Sequence, residues 1–175
     1  LASAGKALLL QANIREEGLP SNERCILRDG QGFVWIGTRA GLGKFDGHEL
    51  KRYTHKANDP NSLPHNLIHQ IAEDKQHNIW VLTEKGIARY QRERNNFTFP
   101  TDEDGNYITA YSFCSVPEGI LFGGKDRIYM YRYEDDSFKL LQYFNAKSFK
   151  ITALCPWDSQ TLLCCRRWMG LLLVD

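Results

Sequence analysis

Residues 32–47, GFVWIGTRAGLGKFDG, and residues 78–91, NIWVLTEKGIARYQ, are two versions of one pattern. With Trp35 placed on Trp80, a shift of 45, Ile26 falls on Ile71, Asp29 on Asp74 and Val34 on Ile79. Thr38 then meets Thr83, Gly41 meets Gly86, Leu42 meets Ile87 and Phe45 meets Tyr90. A fixed period of this size points to a solenoid or a propeller, whose units are too small to bury an apolar face alone. A weaker third copy, residues 119–138, follows the second at a shift of 41, with Leu121 at the tryptophan place, Gly124 at the threonine place and Tyr131 at the tyrosine place. A fourth, residues 161–175, puts Leu162 at the tryptophan place and takes two extra residues before Gly170.

Each unit reads as four short strands. A first apolar run (CIL, HQIA, SFCSV, TALC) leads through a polar turn to a second (FVWIGT, IWVLT). A tight turn gives a third (GLGKF, GIARY), and an aromatic-bearing fourth (ELKRYT, FTF) closes the unit. Runs this short, punctuated by Gly, Asp and Asn, form antiparallel hairpins. Four strands in about 42 residues make one propeller blade. The expected fold is therefore all-β: about four four-stranded blades, at residues 21–60, 64–100, 105–145 and 150–175 of a single domain. The fourth unit lacks an outer strand, and ALLLQANI at residues 7–14 is a candidate to supply it. The alternatives are an open arc that closes against a second copy, or a piece of a longer chain. The polar, proline-bearing stretch at residues 54–66 reads as a surface crossover between units.

The recurring residues have architectural roles first. Trp35 and Trp80 read as spacers between stacked sheets, each burying about 200 Å². Asp29 and Asp74 organise hairpin turns through side chain to backbone bonds. Gly30, Gly32, Gly41 and Gly86 suit positive φ. GTRAGLG lacks the Lys-Ser/Thr of a phosphate loop, and no helical run follows it, so no cofactor is expected. Lys plus Arg number 22 against 21 Asp plus Glu, which gives no electrostatic case for nucleic acid or an anionic membrane surface. No apolar run reaches the roughly 20 residues of a membrane helix. The five cysteines read as small apolar core residues, with the adjacent Cys164 and Cys165 pointing to opposite faces. The opening LASAGKALLLQA fits either the tail of a removed secretory signal or an N-terminal strand.

The stretch from Ile26 to Tyr90 resembles the regulator-propeller repeats of hybrid two-component sensors. The resemblance rests on Asp-x-x-Gly before Trp-Ile-Gly-Thr, then Gly-Leu and Phe-Asp-Gly, then Ser-Leu-Pro before the next unit. The opening REEGLPSNERCILRDGQGFVWIGT is similar to the start of their sensor domains. It covers residues 17–90 well, although Leu82 replaces a usual Gly there, and residues 105–175 thinly, where no Trp stands at 121 or 162. What the resemblance implies is a periplasmic sensor domain of two stacked seven-bladed propellers that responds to oligosaccharides. Membrane helix and histidine kinase would lie in other parts of such a protein.

A propeller mouth is built by the loops joining second to third strands together with the blade-to-blade crossovers. Here that places Arg39, Lys85, Lys125, Arg166, Arg167 and Trp168 at one end, a basic set with a flat aromatic that suits an acidic sugar. His65 and His69 are four apart on a loop and strand start, a spacing that does not converge on a metal there. YEDDS and TDEDGN read as solvated turns rather than paired catalytic carboxylates. The leading expectation is a non-enzymatic sensing propeller with an oligosaccharide ligand and a homodimer as a further partner. The alternatives are a structural or protein-interaction propeller without a small ligand, and a glycan-active propeller enzyme.

Overall fold

The computed structural model describes residues 23–102, 104–144, 149–158, 161–166 and 170–174; for residue 166 and residues 170–174 it describes the backbone alone. The described residues form fifteen strands in four antiparallel sheets. Blade I holds β1 (Glu23–Arg28), β2 (Val34–Thr38), β3 (Leu42–Phe45) and β4 (Leu50–Tyr53). Blade II holds β5 (Ile68–Glu73), β6 (Ile79–Thr83), β7 (Gly86–Gln91) and β8 (Asn96–Thr98). Blade III holds β9 (Ser112–Val116), β10 (Gly119–Gly123), β11 (Arg127–Arg132) and β12 (Ser137–Tyr143). Blade IV holds β13 (Ile151–Pro156), β14 (Leu162–Arg166) and β15 (Gly170–Val174). Each sheet follows sequence order, as a meander of hairpins must. The candidate outer strand at residues 7–14 lies outside the described residues.

The sheets stack face to face through side chains of alternating strand positions. One buried cluster joins blades I and II, with Trp35, Leu42 and Tyr53 on one side and Ile71, Tyr90 and Phe97 on the other. A second joins blades II and III around Trp80, Leu82, Phe122 and Tyr131. A third joins blades III and IV around Leu121, Ile128, Ile151 and Cys164. Trp35 and Trp80 are both 0% exposed, each at the centre of its interface. The first strands of neighbouring blades run side by side, β1 with β5 and β9 with β13, so the first strand of each blade is the inner one.

Close approach at the inner strands is set by complementary sizes. A Cβ on Gly37 would come within 2.7 Å of Ile68 Cγ2, and one on Gly123 within 2.6 Å of Ile151 Cγ2. Strand register places Leu82 where blades I and III carry these glycines. Leu82 shares its buried cluster with Ile108 and Ala110 of the segment leading into blade III.

Three sequence expectations are corrected. The crossover at residues 54–66 is not wholly a surface loop. Leu63 is 1% exposed in the blade I–II core, and Asn61 O accepts the Phe97 N–H of β8 at 3.0 Å. Gly30 is not among the residues with positive φ; Gly32, Gly41 and Gly86 are, at 93°, 132° and 154°. Leu163, not Leu162, holds the tryptophan place in blade IV. Arg166 pairs with both Ile151 and Gly170, as Thr83 pairs with Ile68 and Gly86, so one extra residue precedes Gly170 instead of two.

Candidate functional site: the clefts between blades

In each of the first two blades an aspartate just after the first strand serves its turn and its tryptophan together. Asp29 Oδ1 accepts the backbone N–H of Gln31 and Phe33 at 3.0 and 2.9 Å, while Oδ2 accepts the Trp35 indole N–H at 2.9 Å. Asp74 repeats this with Gln76, Asn78 and, at 2.8 Å, Trp80. The indole is thereby oriented flat into the interface. In blade I the same carboxylate also meets Arg92 of blade II, whose two guanidinium nitrogens lie 3.1 Å from Asp29 Oδ2. Arg92 also donates to His77 O, and Gly30 N–H donates across the interface to Glu73 at 2.7 Å. Burial would raise the Asp29 carboxyl; the indole and guanidinium bonds outweigh it and hold the group below the usual aspartate range. At the blade II–III interface Tyr133 takes the place of Arg92, and its hydroxyl accepts the Lys75 N–H at 3.4 Å.

Above each tryptophan sits a cation from the third strand. Lys44 Nζ lies 5.4 Å from the Trp35 ring and donates to Tyr90 OH at 3.3 Å, and Tyr90 OH donates to Asn95 Oδ1 at 2.7 Å. One blade on, Arg89 lies 5.6 Å from the Trp80 ring and donates to Tyr131 OH at 2.9 Å, and Tyr131 OH donates to Asp136 Oδ1 at 2.6 Å. Arg89 also pairs directly with Asp136 at 2.5 Å. Asn95 and Asp136 share a left-handed backbone, φ 54° and 50°, which aims their side chains back at the preceding blade. Asp136 is held below the usual range chiefly by the Arg89 bond, and burial pushes the Tyr131 phenol well up. The YEDDS segment is therefore no merely solvated turn, because its second aspartate ties blade III to blade II.

Beside these staples the sheets splay into clefts. The larger, about 590 Å³, lies between the β7–β8 hairpin and blade III, where Gln76, Gln91, Arg92, Arg94 and Tyr133 help to line it. Gln91 Oε1 is buried there with no hydrogen-bond partner among the described residues. Arg94 and Gln76 are exposed, and no carboxylate pairs with Arg94 among the described residues. A second cleft of about 540 Å³ lies between blades I and II, lined in part by Phe33, Lys44, Lys51 and Asn95.

The basic loop tips read from the sequence lie at the other end of the blades. Arg39, Lys85 and Lys125 are exposed. Lys85 lines a cleft of about 300 Å³ formed largely by the 55–64 crossover, with Phe99 and Tyr107 beside it. Lys125 forms a backbone bridge to Lys150 at the entry to blade IV. Arg166 ends β14, and Arg167 and Trp168 lie outside the described residues. His69 Nε2 meets Glu84 Oε2 at 2.6 Å, and that bond holds the Glu84 carboxyl below its usual range. His65 Nδ1 accepts the Leu67 N–H at 3.1 Å. Sequence reasoning missed the splayed clefts. A basic residue nine positions after each tryptophan, Lys44 after Trp35 and Arg89 after Trp80, was the available signal.

Comparison with known proteins agrees with this architecture. The two component regulator propeller repeat matches residues 18–40 and 62–85. No curated protein sequence matches the chain. Among solved structures, an extracellular domain assigned to a hybrid two component system of B. thetaiotaomicron superposes with a TM-score of 0.77 at 22% identity, over 92% of this chain and 24% of its own. A second such domain from the same organism gives 0.72 at 21% identity, over 90% of this chain and 21% of its own. Virginiamycin B lyase from Staphylococcus aureus gives 0.57 at 13% identity, over 87% and 52%. This chain thus spans under a quarter of the length of the two extracellular domains, and at such identities the likeness is one of fold. Two stretches of the chain thus carry the two component regulator propeller repeat, and its stacked four-stranded sheets have the fold of β-propeller blades.

Proposed function

We propose that these blades belong to an extracytoplasmic sensor of a two-component system, and that they recognise an oligosaccharide in the cleft between blades II and III. The observation that carries this reading is Gln91, whose Oε1 is buried against that cleft without a protein donor. A buried acceptor left unpaired costs about 1–3 kcal/mol, and a sugar hydroxyl supplies the missing donor. The exposed Gln76 amide and the Arg94 guanidinium beside it add the fixed polar groups that orient a polyol. The role is read as binding rather than catalysis: at this interface Asp74 is bonded to turn N–H groups and an indole and Asp136 to Arg89, which leaves Glu93 without a second free carboxylate to work with among the described residues. Ligand would act by favouring one packing of blade II against blade III over another, which requires different contacts in the two packings.

The test is calorimetric titration of a panel of oligosaccharides against the chain and two variants, Gln91→Leu and Arg94→Ala. Both variants are expected to weaken binding at least tenfold. Gln91→Leu is expected to melt at the same temperature or higher, because it removes an unpaired buried acceptor. Binding that is unchanged in both variants, or absent for every saccharide, overturns the proposal. A protein-binding propeller is the second reading. It is favoured by β12, a seven-residue edge strand on which Leu140, Leu141 and Tyr143 are 50%, 56% and 52% exposed.

A further inference from the structure

The cleft beside Lys85, at the opposite end of the strands, differs in kind from those between the blades. Its volume of about 300 Å³ is at the lower end of the roughly 300–1,000 Å³ common for small-ligand sites. Its deepest side chains are apolar: Leu63 and Ile87 are each 1% exposed. One wall is the 55–64 crossover, which its own polar groups hold in shape. Ser62 Oγ accepts the Lys56 N–H at 2.9 Å and donates to Asp59 O at 2.8 Å, and the His55 ring donates from Nδ1 to Leu63 O at 2.7 Å. The facing wall is a short hairpin between blades II and III. Its base is fixed by Ile87 N–H donating to Ile108 O at 3.0 Å, and Thr101 bridges to Tyr107. Asp102 Oδ1 closes its turn by accepting the N–H groups of Asp104 and Asn106. The hairpin stands Tyr107 edge-on against Phe99, with ring centroids 6.1 Å apart. Tyr107 is nevertheless 68% exposed, so a rigidly held aromatic face is presented to the cleft.

We propose that this cleft binds a planar aromatic carboxylate, with its ring against Tyr107 and the prolines Pro60 and Pro64 and its anion toward Lys56 and Lys85. The charged lining is those two lysines and Asp59. Asp59 Oδ1 accepts the Asn61 N–H at 3.0 Å, whereas both ammoniums are exposed and have no carboxylate partner among the described residues. One positive charge is therefore in excess beside an apolar floor. The ligand class follows from what the lining leaves free. A polyol needs several fixed donors and acceptors, and here Ser62, His55 and Asp59 are already bonded within the crossover. A flat ring needs only apolar surface and a partner for its single charge. The site is separate from the cleft between blades II and III and does not depend on what that cleft binds.

The experiment titrates the chain calorimetrically with sodium cinnamate and 4-hydroxybenzoate. Saturable binding is expected for at least one of them, weakening as salt rises. Cinnamyl alcohol lacks the charge, cyclohexanecarboxylate lacks the flat ring, and glucuronate puts a polyol in its place; each is expected to bind about tenfold more weakly. Lys56→Gln and Lys85→Gln are each expected to weaken binding about threefold, and Tyr107→Ala about tenfold. All three side chains are exposed, so the variants are expected to melt with the parent, which verifies folding. Absence of saturable binding by both aromatic acids overturns the proposal. So does cinnamyl alcohol or glucuronate binding as tightly as the aromatic acid, or affinity that survives Tyr107→Ala unchanged. None of these outcomes bears on the saccharide reading, whose test reads Gln91 and Arg94 in a different cleft.

Discussion

Asp29 joins turn, tryptophan and neighbouring blade through one fully buried carboxylate. Its side chain is 0% exposed, while that of Arg92 is 23% exposed. Asp74 has the same turn and the same indole but faces no arginine: Tyr133 stands at the corresponding place. Asparagine at either place keeps one acceptor oxygen for the turn N–H groups and turns an NH2 donor toward the indole, a loss common to both sites, so the difference between the two variants isolates the Arg92 pair. Asp29→Asn is expected to cost about 2 kcal/mol, less than a fully buried pair because Arg92 is partly solvated. Asp74→Asn loses the same indole acceptor but no ion pair, and is expected to cost about 1 kcal/mol. Denaturant midpoints measure both, and equal costs would show that the Asp29–Arg92 pair contributes nothing. Trp35→Ala supplies the scale, at about 3–5 kcal/mol for an aromatic deleted from a core. The spacing of Asp and Trp was legible in the sequence because it recurs. The indole bond was not, since the turn alone accounts for that aspartate. Arg92 was not either, because it lies 63 residues away and has no counterpart in the third unit.

Strand order, hairpin turns and the stacking of each sheet on the next were readable from short apolar runs and their punctuation. Register was less so. In blades I, II and IV the inner strand shifts register near its first residue, at Glu23/Cys25, Ile68/Gln70 and Ile151/Ala153. A shift of one residue is invisible where neighbouring positions are both leucine, which is why Leu162 reads as the tryptophan equivalent and Leu163 holds the place. At two interfaces the inner strands meet as a glycine against an isoleucine: Gly37 faces Ile68, and Gly123 faces Ile151. Gly37→Ala brings its methyl to 2.5 Å from Cys25 Sγ and 2.7 Å from Ile68 Cγ2, and is expected to cost about 1–3 kcal/mol. Ile68→Ala alone is expected to cost about 2–5 kcal/mol through the cavity it leaves. The double variant gives the added methyl the space that Ile68 vacates and is expected to cost at least about 1 kcal/mol less than the sum. Strict additivity in a thermal or urea denaturation cycle would show that the interface does not trade volume in this way.

At the scale of the whole molecule the sequence showed which end of the blades carries basic loop tips, and the larger clefts opened elsewhere. How far outer strands splay depends on what fills each interface, and no single segment encodes that. The same interfaces set the expected response to acid. Asp29 ties blade I to blade II through Arg92, and Asp136 ties blade III to blade II through Arg89. Both carboxyls are held below the ordinary aspartate value in the folded chain. A group whose folded value is depressed binds its proton more readily when unfolded. Its contribution is complete above the unfolded value, near pH 4, and is lost as pH falls through the folded one. Melting temperature is therefore expected to change little on this account between neutral pH and about pH 5, and to fall steeply below about pH 4. The two carboxylates should not respond equally. Asp136 is 63% exposed, so solvent screens its bond to Arg89, whereas the Asp29 carboxylate is fully enclosed. Asp29→Asn should accordingly melt lower than the parent at neutral pH and lose less on acidification, so that the two curves converge near pH 3. Asp136→Asn should run close to the parent throughout. An Asp29→Asn curve parallel to the parent down to pH 3 would mean that this ion pair does not govern the joint between blades I and II.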